Sequence, residues 1–95
     1  MPPTDSAPDA PWFVYMLACR NGTLYTGISN NVAARFDAHC AGKGARYTRA
    51  NPPEKLLAMM ACPNHSEAAR AECRIKKMTR SAKLAWSVLH AVAAC

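Results

Sequence analysis

The sequence predicts a small α/β domain of the α+β kind: a three-stranded, mostly antiparallel sheet flanked by helices, in the order ββαβαα. Three observations lead to it. Two apolar segments, residues 12–19 and 24–28, flank an Asn21-Gly22 pair, the strongest short hairpin signal. A third short apolar run, Leu56 to Ala61, follows the chain break at Asn51-Pro52-Pro53. The remaining periodic stretches repeat at helical spacing and open on capping residues.

With 95 residues and a mass of 10.3 kDa, the chain suffices for one modest core and no second one. Residues 1–11, MPPTDSAPDAP, read as a disordered proline-rich arm, lacking the basic and apolar regions of a signal peptide. Residues 12–95 then form a single domain. No run approaches the roughly 18–20 apolar residues of a membrane span, so no membrane partner is expected and the cytoplasm is the expected compartment. Five cysteines without C-x-x-C spacing indicate neither a disulfide framework nor a zinc knuckle, and read as small buried hydrophobes.

Twelve Lys and Arg stand against six Asp and Glu, a formal +6. Two of the acids, Asp5 and Asp9, lie in the arm, so the domain carries twelve bases against four acids. Such an imbalance favours a polyanionic partner, nucleic acid being the commonest.

Trp12 to Cys19 alternates aromatic, β-branched and long apolar residues, as a strand does, and returns after Asn21-Gly22 through Leu24 to Ile28. Both turn residues accept positive φ, and the hairpin brings Tyr15 and Tyr25 onto neighbouring strands. Ser29-Asn30-Asn31 offers N-caps for a helix from Val32 to Ala41, stopped by Gly42. Val32, Phe36 and Cys40 form its expected buried row, with Asn31, Arg35 and His39 in the row beside it. Gly42 to Arg49, GKGARYTR, reads as a loop whose Lys43, Arg46 and Arg49 reach phosphates or solvent, and whose Tyr47 stacks or packs. Asn64 and Glu67 resemble a capping box opening a helix over His65 to Met78, with Ala68, Ala71, Ile75 and Met78 as its apolar stripe. Glu72 borders that stripe, among Arg70, Arg74, Lys76 and Lys77. It either pairs with Lys76 at helical spacing or points to a site. Ser81 is the expected cap of a last helix that covers the core with Ala85, Val88, Leu89 and Val92.

Taken in order, Phe13-Val14-Tyr15, Tyr25-Thr26-Gly27, Arg35 and His39 on one helix and Glu72 on a later one resemble the GIY-YIG nuclease superfamily. LYTGISNNVAARFDAH, GKGARYT and SEAARAECRIKKMTR are similar to its small single-domain bacterial branch, over residues 12 to about 83. Phe13 stands at the first glycine of the name motif and Thr26 at the isoleucine of the second; both tyrosines and Gly27 remain.

The resemblance implies metal-dependent hydrolysis of DNA phosphodiesters, with Mg²⁺ or Mn²⁺ as cofactor. Tyr15 and Tyr25 would be the paired active-site tyrosines, Gly27 would leave room for backbone and substrate, Arg35 would bind the scissile phosphate, and Glu72 would hold the metal. His39 falls where relatives carry a histidine or tyrosine. These side chains suit the chemistry, which needs an activated water, neutralised phosphoryl charge and help for the leaving oxygen. Lys43, Arg46, Tyr47, Arg49, Arg74, Lys76 and Lys77 are the expected nucleic-acid contacts. The expectation is structure-specific or non-specific DNA processing or repair by a monomer or weak dimer, with RNA as another possible substrate. A nucleic-acid-binding module of the same fold but little catalysis is the alternative, and a protein-interaction domain a third.

Overall fold

The structure, a computed structural model, describes residues 11–92. All of the expected N-terminal arm but Pro11 lies outside the described residues, as does Cys95. Strands β1 (Trp12–Cys19), β2 (Leu24–Ser29) and β3 (Pro53–Cys62) form one antiparallel sheet in the order β2-β1-β3. Helices α1 (Val32–Cys40), α3 (His65–Lys76) and α4 (Arg80–Leu89) flank it, and a short helix, α2 (Arg46–Ala50), lies between α1 and β3. The expected order of elements therefore holds, with α2 added inside the segment read as a loop. The third strand is longer at both ends than the Leu56–Ala61 run.

β1 is central because it is apolar on both faces. Val14, Tyr15, Met16 and Leu17 are all buried. Val14 and Met16 meet Ala68, Ala71 and Ile75 of α3, with Trp86 of α4 packed alongside. Tyr15 and Leu17 point the other way, towards Val32 and Phe36 of α1. Fully burying a side chain such as Met16 or Leu17 contributes about 1.5–3 kcal/mol, so this strand is the hub of both core layers. The stripe on α3 is the expected one, with Met78 packed just beyond the end of the helix.

The hairpin turn differs from the two-residue form. Gly22 donates its N–H to the Cys19 carbonyl at 2.9 Å, and Cys19 donates to the Thr23 carbonyl at 2.9 Å. Only Gly22, at φ +82°, is left-handed, so this is a three-residue loop ending in a glycine bulge. Asn21 serves as a cross-link instead. Its Oδ1 accepts from the Thr23 hydroxyl at 2.6 Å and its Nδ2 donates to Asn51 at 2.6 Å.

Two helices present a different face from the expected one. In α1, Cys40 is exposed and His39 is buried. A row taken every four residues overshoots a 3.6-residue turn, and the inward stripe runs through Val32, Phe36 and His39. Asn31 caps this helix by accepting from Ala34 N–H at 3.1 Å. A Schellman pair closes it, Lys43 N–H to Ala38 O at 2.8 Å and Gly42 N–H to His39 O at 3.2 Å, with Gly42 at φ +76°. In α4 the cap is Thr79, not Ser81, and the inward stripe is Lys83, Trp86, Ser87 and His90. Val88 and Leu89, expected to cover the core, are 76% and 80% exposed. The Trp86 indole, the largest side chain on the helix, sets its rotation by packing on the α3 layer.

Of the described cysteines, Cys19 and Cys62 are buried while Cys40 and Cys73 are exposed, so the expectation of buried hydrophobes holds for two of four. Thr26 is buried with its hydroxyl unpaired among the described residues. An unpaired buried hydroxyl costs about 1–3 kcal/mol, a cost that an isoleucine in this place would not incur.

Candidate active site

The strand register brings the two tyrosines together. Tyr15 pairs with Gly27 and Leu17 with Tyr25, so Tyr15 and Tyr25 are diagonal neighbours on one face, their ring centroids 6.4 Å apart. The Tyr15 ring lies directly over Gly27. A Cβ there would come within 2.5 Å of the Tyr15 hydroxyl and 2.6 Å of Cζ. The room that Gly27 leaves is thus occupied by the phenol of its own partner strand.

His39 comes to the same place from α1. Its Nε2 is 2.8 Å from the Tyr15 hydroxyl and its Nδ1 is 2.6 Å from the hydroxyl of Thr48. Its ring also approaches Tyr25, centroid to centroid 5.2 Å. Tyr15, His39 and Thr48 are each no more than 1% exposed. Gly44 lies beside the imidazole near Nδ1, where any Cβ would overlap the ring.

Burial pushes the Tyr15 phenol up to about 12, reinforced by the neighbouring Tyr25, while Arg35 on α1 pulls it down and Glu72 adds to the rise. Burial also lowers the His39 pKa, with the Arg35 charge acting in the same direction. At neutral pH the pair is therefore a phenol and a neutral imidazole. Arg35 is exposed one turn before His39 and, among the described residues, forms no ion pair.

These shifts make a prediction about stability. The unfolded chain protonates His39 below about 6.5, whereas the folded chain resists it. Stability is therefore complete above that value and falls as pH drops through it. Tyr15 ordinarily ionises near 10.0 but resists until about 12 in the fold, so stability falls again above pH 10. Thermal melts across this range should show a plateau with losses on both sides; an unchanged melting temperature from pH 7 to pH 5 would contradict a buried neutral His39.

Glu72 approaches from the opposite layer. α3 lies against β1 and β2, and the outer edge of β2 is unpaired in the sheet. Of the two sequence alternatives for Glu72, the pairing with Lys76 is observed. Its carboxylate is 3.3 Å from Lys76, and its charge is also close enough to act on Tyr15. Among the described residues no three acidic, histidine or cysteine side chains cluster as a metal cage. A single half-buried carboxylate suits a magnesium ion, which keeps most of its waters and completes its shell with substrate phosphate. It does not suit zinc or a dedicated calcium cage.

The basic residues named from sequence, Lys43, Arg46, Arg49, Arg74, Lys76 and Lys77, are all exposed. Tyr47 is 39% exposed, stacks on Tyr25 at 6.1 Å and donates its hydroxyl to Thr23. With Leu24, Tyr25, Thr26, Lys76 and Lys83 it lines a depression of about 320 Å³ beside the tyrosines. Sequence reasoning passed over Lys83, and Arg80, which donates to the Gly22 carbonyl at 2.6 Å and ties α4 to the hairpin. It also passed over Thr48, whose only signal was its place in GKGARYT.

Known proteins are similar to this chain. Residues 11–85 match the GIY-YIG catalytic domain. The UPF0213 protein XAC3202 of Xanthomonas axonopodis pv. citri is 54% identical over 76 residues, covering 80% of this chain and 74% of the relative. A UPF0213 protein of Streptococcus agalactiae serotype V, SAG0778, is 48% identical over 80 residues, covering 84% and 91%. The solution NMR structure of the UPF0213 protein BH0048 from Bacillus halodurans aligns with a TM-score of 0.54 at 39% identity, over 83% of this chain and 84% of that one. A match spanning both tyrosine strands, α1 and α3 takes in every residue of the tyrosine, histidine, arginine and glutamate constellation, and the chain therefore belongs to the GIY-YIG family, among the UPF0213 proteins.

Proposed function

We propose that the chain is a metal-dependent endonuclease that hydrolyses DNA phosphodiesters in structure-specific or non-specific processing or repair, in the cytoplasm. The observation that carries this reading is the convergence on one phenol. Tyr15 is hydrogen-bonded to His39 at 2.8 Å, and the charges of both Arg35 and Glu72 act on it. These residues offer a base relay and a cation for phosphate oxygens at one phenol, with a carboxylate for a metal on α3 whose charge reaches it.

Each residue then has a task. Free phenolate is disfavoured by burial, so Tyr15 works by passing its proton on. As an attacking water forms its bond to phosphorus, its proton moves to the Tyr15 oxygen while the Tyr15 proton moves to Nε2 of His39. Arg35, free of ion pairing among the described residues, grips the nonbridging phosphate oxygens. Glu72 would hold Mg²⁺ or Mn²⁺, which when bound acts as a Lewis acid on the phosphate and its leaving oxygen. Lys43, Arg46, Arg49, Arg74, Lys76 and Lys77 carry the flanking backbone, and Tyr47 with Tyr25 offers an aromatic surface to an unstacked base.

The Glu72–Lys76 ion pair favours a second reading, a nucleic-acid-binding module with little catalysis, because the carboxylate already has a cation. One assay separates the two. Branched, nicked and single-stranded DNAs and an RNA are incubated with Mg²⁺ or Mn²⁺, with and without a chelator. Metal-dependent products support the nuclease; salt-sensitive binding without products supports the module.

A further inference from the structure

We infer that Thr48 is a positioning residue that holds His39 in the tautomer with its proton on Nδ1, so that Nε2 faces Tyr15 as an acceptor. The inference rests on the nuclease reading for its purpose, but its geometry stands on the free protein.

The direction of the chain of hydrogen bonds follows from its far end. The Ala45 carbonyl can only accept, and the Thr48 hydroxyl donates to it at 3.0 Å. A hydroxyl has one proton, so Thr48 meets His39 Nδ1, 2.6 Å away, with a lone pair. Nδ1 must then carry the hydrogen. Nε2 is left bare, and the Tyr15 hydroxyl donates to it at 2.8 Å. In the reverse arrangement Thr48 donates to Nδ1 and Nε2–H donates to Tyr15, which leaves the buried Tyr15 proton without an acceptor among the described hydrogen bonds. Only the first arrangement pairs every proton in a region where an unpaired one is costly.

The surroundings hold Thr48 in place. A five-residue helix is too short to persist by itself, and α2 is pinned at both ends. Tyr47 donates to Thr23, Asn21 donates to Asn51, and Asn51 donates back to the Tyr47 carbonyl at 3.2 Å. This closed ring anchors α2 on the hairpin that carries Tyr15 and Tyr25. Gly44 lies beside the imidazole at its Nδ1 edge, where any side chain on residue 44 would overlap the ring. The GKGARYT segment, read from sequence as a phosphate-reaching loop, is thereby also the seat of the relay. Which nitrogen of a histidine is free is commonly decided by the partner of the other nitrogen, and here that partner is a threonine rather than an acid. Thr48 orients His39 without adding a negative charge that would raise its affinity for a proton.

The test is the nitrogen-15 spectrum of the imidazole rings in the free protein, with His65 and His90 assigned by single substitution. Wild type and Thr48→Ser should show a protonated Nδ1 and a bare Nε2 on His39, whereas Thr48→Val should move the proton towards Nε2, the form a free imidazole prefers. In the cleavage assay Thr48→Val should lose about 10–100-fold in kcat with KM little changed, the usual scale for a group that orients a functional side chain. Thr48→Ser should stay near wild type. A wild-type spectrum with the proton on Nε2, or a Thr48→Val spectrum matching wild type, overturns the inference. Since the spectrum is taken without substrate, absence of cleavage by the wild-type chain counts against the nuclease reading alone.

Discussion

Tyr15→Phe should lower metal-dependent cleavage by about 10²–10⁴-fold, the range for removing a positioned acid–base group, while the chain stays folded. The substitution deletes one oxygen and keeps the ring, which continues to fill the space over Gly27. The structural cost is confined to His39, whose Nε2 loses its donor. A buried polar atom stripped of its partner costs about 1–3 kcal/mol, enough to lower the melting temperature without unfolding the domain. KM should change little, because in the proposed mechanism Arg35 and the exposed cations, not Tyr15, grip the phosphate. Tyr25→Phe is the informative comparison. The Tyr25 hydroxyl has no hydrogen-bond partner among the described residues, so its loss should cost less stability, and the ratio of the two activities says which phenol handles the water proton. A Tyr15→Phe variant cleaving at the wild-type rate would remove the Tyr15–His39 relay from the mechanism.

What the sequence disclosed and what it hid divide along the reach of the forces involved. The hairpin, the caps at Asn31 and Asn64, the stop at Gly42 and the small-residue stripe on α3 are set within a turn or two of chain, and were legible. Which way α1 and α4 face is set by partners far away in sequence. Cys40 is the more apolar choice, yet His39 goes inside because Tyr15 and Thr48, 24 residues before it and nine after it, satisfy both of its nitrogens. Val88 and Leu89 lose the core to Trp86 by the same kind of competition. The constellation itself was readable because order and type of residue survive projection onto one dimension. The supporting shell was not. Nothing local marks Thr48 as a partner of His39, or Gly44 as the residue that lies against its ring.

Glu72→Gln should reduce metal-dependent cleavage by about 10³-fold and barely move the melting temperature. A metal's stabilisation of developing charge is worth several kcal/mol, and about 4 kcal/mol corresponds to three orders of magnitude in rate. The glutamine keeps size, helix propensity and placement beside the Ala68–Ala71–Ile75 stripe, and removes the charge that Mg²⁺ needs. Against this stands the helical pair with Lys76, an i,i+4 contact with the Lys76 side chain 54% exposed. Such pairs contribute only about 0.3–0.5 kcal/mol, so losing this one leaves the fold nearly as stable as before. Lys76→Ala separates the two roles of the carboxylate. If Glu72 serves only its lysine, both variants lose the same few tenths of a kcal/mol and cleave like wild type. If it holds the metal, Lys76→Ala frees the carboxylate and keeps or lowers the Mg²⁺ concentration for half-maximal cleavage, while Glu72→Gln abolishes the response. The lysine then competes with the metal for the carboxylate, and the metal enters more readily when Lys76 turns towards the depression it lines with Tyr47 and Lys83. There it would meet the backbone of a bound strand, so that substrate and metal would each favour the rearrangement the other needs.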